Sequence, residues 1–396
     1  MSEYPEELAI FNELLDDLGR EKATKHELRA LSAILCAFER WPELSSDLKK
    51  HIISFLPIDD LFRVSMCSRE MYVLVMHTPV DLCSVSIRDD ALPNQCVAVS
   101  LGFRDGRHHD VFFSNDELDA SVLVSWRTAR YHQRCERINI AAADYQVMAA
   151  RCAAVWMSRC AYTFDHLSVD LYRDTRPFQS QLAYVPHFPN CVSLHVGAID
   201  EQWLRFWLSK TPERLDELHV TTSSDTMFLF AMSNEVLRTT HVVECQEVLD
   251  LQCHTTIDDD TFAMLKSNVI CLHSYYLTEH GLTRYLNNWA NGHGASNICE
   301  VKLSVGPHLD RNHVLNELAD TVVPFLELEP EFMRGFERGS RNGFFCQVLS
   351  RVDPFESVTL CFFDMFVAIY GTGKRAVGDD GTPYTQYFLP PFNVVW

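Results

Sequence analysis

Hydrophobic and polar positions along the chain follow two different periods, and the change between them divides the sequence. Up to residue 76 apolar residues recur every three or four positions, which is typical of amphipathic helices. From Cys83 to Ser114 the period is two, which indicates strands. Beyond residue 160 short strand-like runs alternate with helical segments. The pattern predicts the α+β fold class, with a helical N-terminal part followed by a mixed α and β part.

The helical part contains two segments. Residues 1–40 form a helical extension with two stripes of apolar residues, interpreted either as a cap packed on the neighbouring helices or as a separate partner-binding hairpin. Residues 41–76 predict three short helices. Pro57 ends the first because proline cannot donate the next helical hydrogen bond, Asp59 and Asp60 begin the second, and Ser68 begins the third.

Residues 81–160 predict a β-hairpin and a helix. The hairpin turns at Asp105-Gly106, and residues 141–160 are alanine-rich and helical. The alternating apolar residues are Val97, Val99, Leu101, Phe103, Val111 and Phe113. His108 and His109 lie beside the turn, and neighbouring strand residues point to opposite faces, so we expect no shared metal there.

Residues 161–396 predict an irregular, curved α/β repeat similar to leucine-rich repeats. The strand-like runs contain Leu167/Val169, Leu194/Val196, Leu218/Val220, Leu249/Leu251, Ile270/Leu272 and Val301/Leu303. Their first members lie 27, 24, 31, 21 and 31 residues apart, which overlaps the leucine-rich spacing but scatters beyond it. The tail returns to β character and predicts a last strand over Phe392–Trp396.

Charge and cysteine content narrow the classes of function. The formal net charge of -20 argues against nucleic acid or an anionic membrane as a partner, because either needs a surplus of basic residues. The sequence has no run of about 18 apolar residues, so we expect no membrane-spanning helix. Its N-terminus has no basic segment ahead of an apolar run, so we expect no signal peptide. The 14 scattered cysteines indicate free thiols and a cytoplasmic or nuclear protein.

The sequence contains no catalytic or metal-binding motif, and we expect neither an enzyme nor a cofactor. The nucleophile elbow, the zinc spacings and the complete phosphate loop are all absent. The nearest Cys/His grouping, Cys253-His254 with Cys271 and His273, is interpreted as packing at strand edges. The acidic run Asp258–Asp260 is interpreted as the beginning of a helix, whose dipole favours carboxylates there.

Residues 41–76 carry more apolar residues than one buried stripe requires. Leu44, Leu48 and Ile52 recur every four residues on one helical face, and Ile53 and Leu56 add an adjoining face. A unit of about 40 residues buries too little surface to be stable alone, so another protein is expected to complete its core.

This segment resembles an F-box. The run Leu44 to Leu61 is similar to the first half of that motif, and Phe62 to Arg69 to the second half. Ser45 stands where the family usually has proline, and the usual tryptophan near the end of the third helix is absent. The resemblance implies that the segment binds the Skp adaptor, through residues that we expect to be Leu44, Ser45, Leu48, Ile52, Leu61, Val64 and Met71. Of these, Leu44, Leu48 and Leu61 are predicted to be exposed in the free chain.

The C-terminal part resembles the F-box-associated domain of nematode F-box families over roughly residues 180–396. The resemblance rests on Leu277-Thr278, Leu282 and the run Tyr285 to Gly292, in which a helix ends in Trp-x-x-Gly. A helix C-cap at Gly292 and packing of Trp289 explain the same residues structurally.

Together the resemblances imply a non-catalytic substrate-recognition subunit of an SCF-type ubiquitin ligase. It would tether a target protein to the Skp adaptor and, through it, to a cullin scaffold. The alternative is a leucine-rich-type interaction protein that joins no ligase. In the repeat, polar residues that alternate with the buried leucines are expected to face outward and contact the target. The candidates are His195, His219 and Asp250.

Overall fold

The computed structural model separates the chain into two compact units, which we name the helical unit and the sheet unit. The helical unit contains the described residues up to Leu82 together with residues 155–159, and the sheet unit contains the rest. The structure describes residues 41–56, 61, 64, 67–90, 96–104, 106, 108–116, 121–128, 131–141, 144–159, 165–172, 176–183, 185, 187–222, 230–305, 309–325, 328–339, 343–364 and 366–390.

Two α-helices of the helical unit follow a short 3-10 turn at Trp41–Glu43. Helix α1 spans Ser46–Ser54 and helix α2 spans Arg69–Met76. Serine caps both N-termini: Ser45 Oγ accepts from the N–H of Leu48, and Ser68 Oγ accepts from the N–H of Met71. The predicted beginning of the third helix at Ser68 is confirmed. The predicted helices of residues 1–40, Pro57 and the pair Asp59-Asp60 lie outside the described residues.

The described strands of the sheet unit belong to one hydrogen-bonded sheet. They are β1 Leu82–Asp90, β2 Cys96–Phe103, β3 His108–Asp116, β4 Ser121–Thr128, β5 Tyr131–Ala141, β6 His166–Asp170, β7 Ser193–Gly197, β8 Glu217–Thr221, β9 Ala231–Met232, β10 Val248–Thr255, β11 Val269–Ser274, β12 Glu300–Ser304, β13 Val322–Pro324, β14 Phe344–Leu349, β15 Ser357–Phe362, β16 Phe366–Val377 and β17 Pro383–Tyr387.

Helices connect most of these strands. They are α3 Tyr145–Ser158, α4 Arg176–Leu182, α5 Glu201–Leu208, α6 Asn234–Leu237, α7 Thr240–Val243, α8 Asp259–Phe262, α9 Glu279–Ala290, α10 Arg311–Glu317 and α11 Pro330–Gly339. Among the described residues, no helix is long and apolar enough to cross a membrane.

The centre of the sheet is parallel and its flanks are antiparallel. Strands β1, β6, β7, β8, β10, β11 and β12 pair side by side in that order, all parallel. Strands β2 to β5 form an antiparallel meander at one flank. At the other flank β16 pairs antiparallel with β12, and β13 to β17 form a second antiparallel group. The fold is therefore mixed α/β, with a helical unit near the N-terminus and a large sheet unit.

The six predicted strand-like runs form the parallel strands β6, β7, β8, β10, β11 and β12, as the alternation indicated. Their paired apolar residues, from Leu167 and Val169 to Val301 and Leu303, are all at most 1% exposed. The residues between them are half-buried and lie on the other face. One face of the parallel region therefore packs into the core, and the other face is polar.

The predicted hairpin is confirmed as β2 and β3, but its burial differs from a simple alternation. Every residue of β2 is buried, because this strand is covered on both faces. Strands β4 and β5 extend the hairpin into a meander that the sequence pattern did not predict. The predicted tail strands are observed as β15 and β16, whereas Phe392–Trp396 lies outside the described residues.

Helix α9 ends as the Trp-x-x-Gly pattern predicted. Gly292 has φ 74, a left-handed conformation that glycine adopts without strain. The N–H of Gly292 bonds the carbonyl of Trp289 at 2.9 Å, and the N–H of His293 bonds that of Asn288 at 2.8 Å. These are the two hydrogen bonds of a Schellman cap. Trp289 is buried at 8% exposure, so both residues have a structural role.

Candidate protein-binding surfaces

Helix α1 presents an apolar stripe to solvent. Leu48, Ile52 and Phe55 lie at positions i, i+4 and i+7, and they are 52%, 42% and 75% exposed. Residues with this spacing share one face of a helix. Val73 on α2 adds a further exposed apolar side chain, at 47%. Apolar residues grouped on one helix face indicate a protein-binding site. We name Leu48, Ile52 and Phe55 the α1 stripe.

The other side of α1 is fixed to the helical unit. Ile53 is 1% exposed, and Lys49 is buried with its Nζ 2.7 Å from Glu70 Oε1 of α2. The same ammonium lies 5.9 Å from the centre of the Trp41 ring. Core packing and one charged hydrogen bond therefore orient the helix so that the α1 stripe faces outward.

The helical unit also includes Arg159, a half-buried residue that directly follows α3. Arg159 donates to the carbonyl of Val75 at 2.9 Å and to that of Thr78 at 3.5 Å. Its own carbonyl accepts from the N–H of Val80 at 2.9 Å. Burial lowers the pKa of Arg159 to about 10, which still leaves it charged at neutral pH. The guanidinium thus satisfies carbonyls at the end of α2.

The residues predicted to bind the adaptor occupy three kinds of position. Leu48, Ile52 and Ser45 are exposed, and Leu44 is half-buried. Leu61, Val64 and Met71 are buried, at 5%, 2% and 5% exposure. The prediction that Leu61 is exposed in the free chain was wrong, because this leucine belongs to the core of the helical unit. Sequence reasoning missed Phe55, although its spacing from Leu48 and Ile52 could have identified it.

The second surface lies on the polar face of the parallel sheet and contains all three residues predicted to bind the target. His195 and His219 are register neighbours on β7 and β8, and His219 and Asp250 are neighbours on β8 and β10. The two imidazole rings are 5.9 Å apart, and His219 Nδ1 lies 3.5 Å from Asp250 Oδ2. The structure therefore brings together three residues of which the first and last are 55 positions apart in the sequence. We name them the His–Asp row.

A neighbouring network that the sequence reasoning missed holds His195 in place. His195 Nε2 lies 3.4 Å from Asp170 Oδ1 and 3.2 Å from Thr221 Oγ1, which in turn lies 3.1 Å from the hydroxyl of Tyr172. A Cβ at Gly197 would lie 3.0 Å from the Tyr172 ring, so glycine leaves room for that ring. Both partners of His195 contact the same nitrogen. This geometry differs from a catalytic relay, which needs one partner at each nitrogen.

His219 and Asp250 of the row influence each other's ionisation. A hydrogen bond to Asp250 raises the pKa of His219 above its ordinary value, although burial opposes the change. Burial alone would raise the pKa of Asp250, but hydrogen bonds from His219 and Gln252 lower it overall. The pair therefore favours the ionised forms of both groups.

Within the described ranges, no group of three or more His, Cys, Asp or Glu side chains could hold a metal ion. Cys253 is buried, and burial raises the pKa of its thiol to about 12, as it does for Cys271. Asp258 caps α8 by accepting from the N–H of Thr261 at 2.8 Å, which confirms the predicted helix beginning.

Comparisons with known proteins agree with the helical unit's geometry. The F-box domain family matches residues 41–82, which contain α1, α2 and the α1 stripe. An uncharacterized F-box protein of Caenorhabditis elegans is 25% identical over 393 residues, which cover 96% of this chain and 100% of that protein. No solved structure matches the chain. The similarity to the nematode protein includes the sheet unit as well as the F-box. The chain therefore contains an F-box domain and is similar over nearly its whole length to an F-box protein of a nematode.

Proposed function

We propose that the chain is the substrate-recognition subunit of an SCF-type ubiquitin ligase. Its F-box would bind a Skp adaptor, which holds it on a cullin scaffold, and its sheet unit would bind the target protein. The subunit itself would be non-catalytic and would act by proximity, since tethering raises the effective concentration of the target near the ubiquitin-loaded enzyme. Such a complex works in the cytoplasm or the nucleus.

The observation that carries this proposal is the α1 stripe. Three large apolar side chains on one helix are exposed within the segment that matches the F-box family, while the opposite side of that helix is buried. Burying one such side chain contributes about 1.5–3 kcal/mol, so an adaptor that covers the stripe gains substantial binding energy. Ser45 and Leu44 lie at the N-terminal end of the same helix and would contact the adaptor there. The buried residues Leu61, Val64 and Met71 would support the surface from within.

For the sheet unit we propose a leucine-rich-type repeat that binds its target through the polar face. The support is a series of parallel strands in which alternate residues are buried, leaving the His–Asp row outward. Solenoid repeats use such open strand faces as extended binding surfaces. The resemblance of residues 180–396 to an F-box-associated domain agrees with a target-binding role for this unit.

Charge substitutions on α1 test the proposal. Leu48→Asp should lower adaptor affinity at least tenfold, because it replaces apolar contact area by a charge that must be desolvated. The double change Leu44→Asp/Leu48→Asp should abolish co-purification of the adaptor and of the cullin. Val352→Asp provides a matched control, since Val352 is 68% exposed in the sheet unit and lies outside the F-box.

Full adaptor capture by the Leu44→Asp/Leu48→Asp chain would contradict the proposal. Absence of adaptor in complexes of the unchanged protein would instead favour an interaction protein that joins no ligase. Thermal unfolding of each variant confirms that the sheet unit is still folded.

A further inference from the structure

Two consecutive tyrosines are exposed at the carboxyl end of β11. Tyr275 is 63% exposed and Tyr276 is 66% exposed, at the turn between this strand and α9. Tyrosine is enriched in protein interfaces because it combines a large apolar area with a hydroxyl group. A pair of such rings in solvent therefore indicates a binding surface. We name this pair the tyrosine platform.

Local contacts hold the turn that carries the platform. The Tyr275 ring lies 5.5 Å from the imidazole of His254, with the two planes inclined by 33°. The N–H of Tyr276 donates to Oγ of the buried Ser274 at 3.2 Å. Two residues further on, Thr278 caps α9 and also donates through its N–H to Asp259 at 2.9 Å. Rings held on such a turn lose little backbone entropy when a partner binds.

The charge around the platform is negative. Residues 254–284 contain four carboxylates, on Asp258, Asp259, Asp260 and Glu279, against two basic side chains, Lys266 and Arg284. Arg238, outside this range, pairs with Asp258 at 2.7 Å, which leaves the carboxylates in excess. Lys266 lies in the loop that leads into the amino end of β11, where it pairs with Glu244 at 2.6 Å. The platform follows the carboxyl end of the same strand. Asp260 pairs with Arg284, yet 66% of its side chain is exposed. Burial and the neighbouring His254 lower the pKa of His273, which keeps that imidazole neutral at pH 7.

We propose that the tyrosine platform binds an arginine- or lysine-bearing segment of a partner protein. A guanidinium or ammonium group would lie over the Tyr275 or Tyr276 ring, where the negative face of the ring attracts a cation. Asp259, Asp260 and Glu279 would supply the complementary charge, in a chain whose net charge is -20. This surface belongs to the sheet unit, does not involve α1, and stands whether or not the chain assembles a ligase.

The test measures binding of a defined cationic probe to the full chain. The probe is a fluorescent, end-capped peptide in which arginine and glycine alternate over four residues. Its binding is measured by fluorescence anisotropy. The comparison peptide has glutamate in place of arginine. We expect binding of the arginine peptide alone. Tyr275→Ala/Tyr276→Ala should weaken it about tenfold, whereas Tyr275→Phe/Tyr276→Phe should leave it within about twofold, because the phenyl ring keeps the π face.

Two further variants make the result specific. Tyr275→Leu/Tyr276→Leu keeps apolar bulk at the surface but has no π face, and it should weaken binding like the alanine variant. Tyr384→Ala/Phe388→Ala removes two aromatic rings that are 47% and 44% exposed elsewhere in the sheet unit, and it should leave the affinity unchanged. The proposal would be overturned if the leucine variant bound the arginine peptide as tightly as the unchanged chain does. It would also be overturned if the Tyr384→Ala/Phe388→Ala control lost as much affinity as the Tyr275→Ala/Tyr276→Ala variant, or if the glutamate peptide bound as tightly as the arginine peptide.

Discussion

At the scale of single residues, His219 contacts three neighbouring side chains on the polar sheet face. Its ring lies 3.5 Å from Asp250 Oδ2 and 4.0 Å from Glu217 Oε2, and the His195 ring lies beside it. The folded-state pKa of His219 is raised, so its contribution to stability is complete below about pH 6.5 and is lost as pH rises through the raised pKa. The pKa of Asp250 is lowered, so its contribution is present above about pH 3.9 and is lost as pH falls through the lowered value.

Asp250→Asn should therefore destabilise the chain mainly between about pH 4 and 6.5. The expected loss is at most about 1 kcal/mol, because the pair is only half-buried. This loss of stability should shrink as pH rises through the folded-state pKa of His219. The pKa of His219 should also be lower in Asp250→Asn than in the unchanged chain. Urea unfolding at pH 5.5 and 8 measures the first effect, and an NMR titration of the imidazole measures the second.

The control is Glu317→Gln, which removes the exposed pair between His313 and Glu317 on α10. It should have a smaller effect on stability, because solvent screens that pair. An Asp250→Asn effect that is the same at both pH values would mean that charge coupling does not stabilise the row.

At the scale of elements, the beginning of α1 explains how this F-box accommodates serine where the family usually has proline. Ser45 has φ -62 and ψ 153, and φ lies close to the value that proline fixes. The backbone conformation is therefore compatible with either residue. Serine adds a side-chain hydrogen bond of 3.3 Å from the N–H of Leu48, which satisfies a free donor of the first helical turn.

Ser45→Ala should lower the stability of the helical unit by about 1 kcal/mol, the usual effect of losing an N-cap. Ser54→Ala provides the control, since the Ser54 hydroxyl bonds only the carbonyl of His51 at the other end of the helix. Hydrogen exchange of the α1 amides measures both variants. Equal protection of α1 in Ser45→Ala and in the unchanged chain would show that the cap contributes nothing.

The polar face of the parallel strands supports a second prediction at this scale. His195, His219 and Asp250 project from the sheet, whereas Leu194, Leu218 and Leu249 are 0% exposed on the opposite face. Changing all three polar residues to alanine should reduce target capture and lower the free energy of unfolding by only about 1 kcal/mol. By contrast, Leu218→Ala should cost about 2–5 kcal/mol, because it opens a cavity in the core.

Thermal unfolding and partner capture are measured on one sample of the triple variant. A loss as large as that of Leu218→Ala would show that the row is a structural element. Intact folding with undiminished capture would place the target on another surface, such as the tyrosine platform.

At the scale of the whole molecule, local periodicity predicted the elements that bury one face. The first F-box helix, the six parallel strands and the C-cap at Gly292 were all identified, because each depends on residues close together in the sequence. The orientation of the His–Asp row followed from the same alternation. Its assembly into one network depends on strand register, which sequence spacing alone does not reveal.

Features that depend on distant pairing were not predicted. The antiparallel pairing of β12 with β16 joins Glu300 to Tyr370, and no local pattern specifies that partner. Strands β4 and β5 carry many polar and charged residues, including the basic cluster Arg127–Arg137, which obscured their alternation. The burial of Leu61 depends on how small helices close around one another, so the apolar pattern alone did not separate its role from that of Leu48.

The adaptor-binding role of the α1 stripe is tested most directly by calorimetric titration of a purified Skp-type adaptor into the full chain at several temperatures. Binding through Leu48, Ile52 and Phe55 predicts a negative heat-capacity change, since apolar surface is buried. In Leu48→Asp/Ile52→Asp we expect affinity to fall about a hundredfold or more, while Val352→Asp binds like the unchanged protein. An unchanged dissociation constant in the double variant, with a heat-capacity change near zero for the unchanged chain, would contradict the assignment of α1 as the adaptor-binding surface.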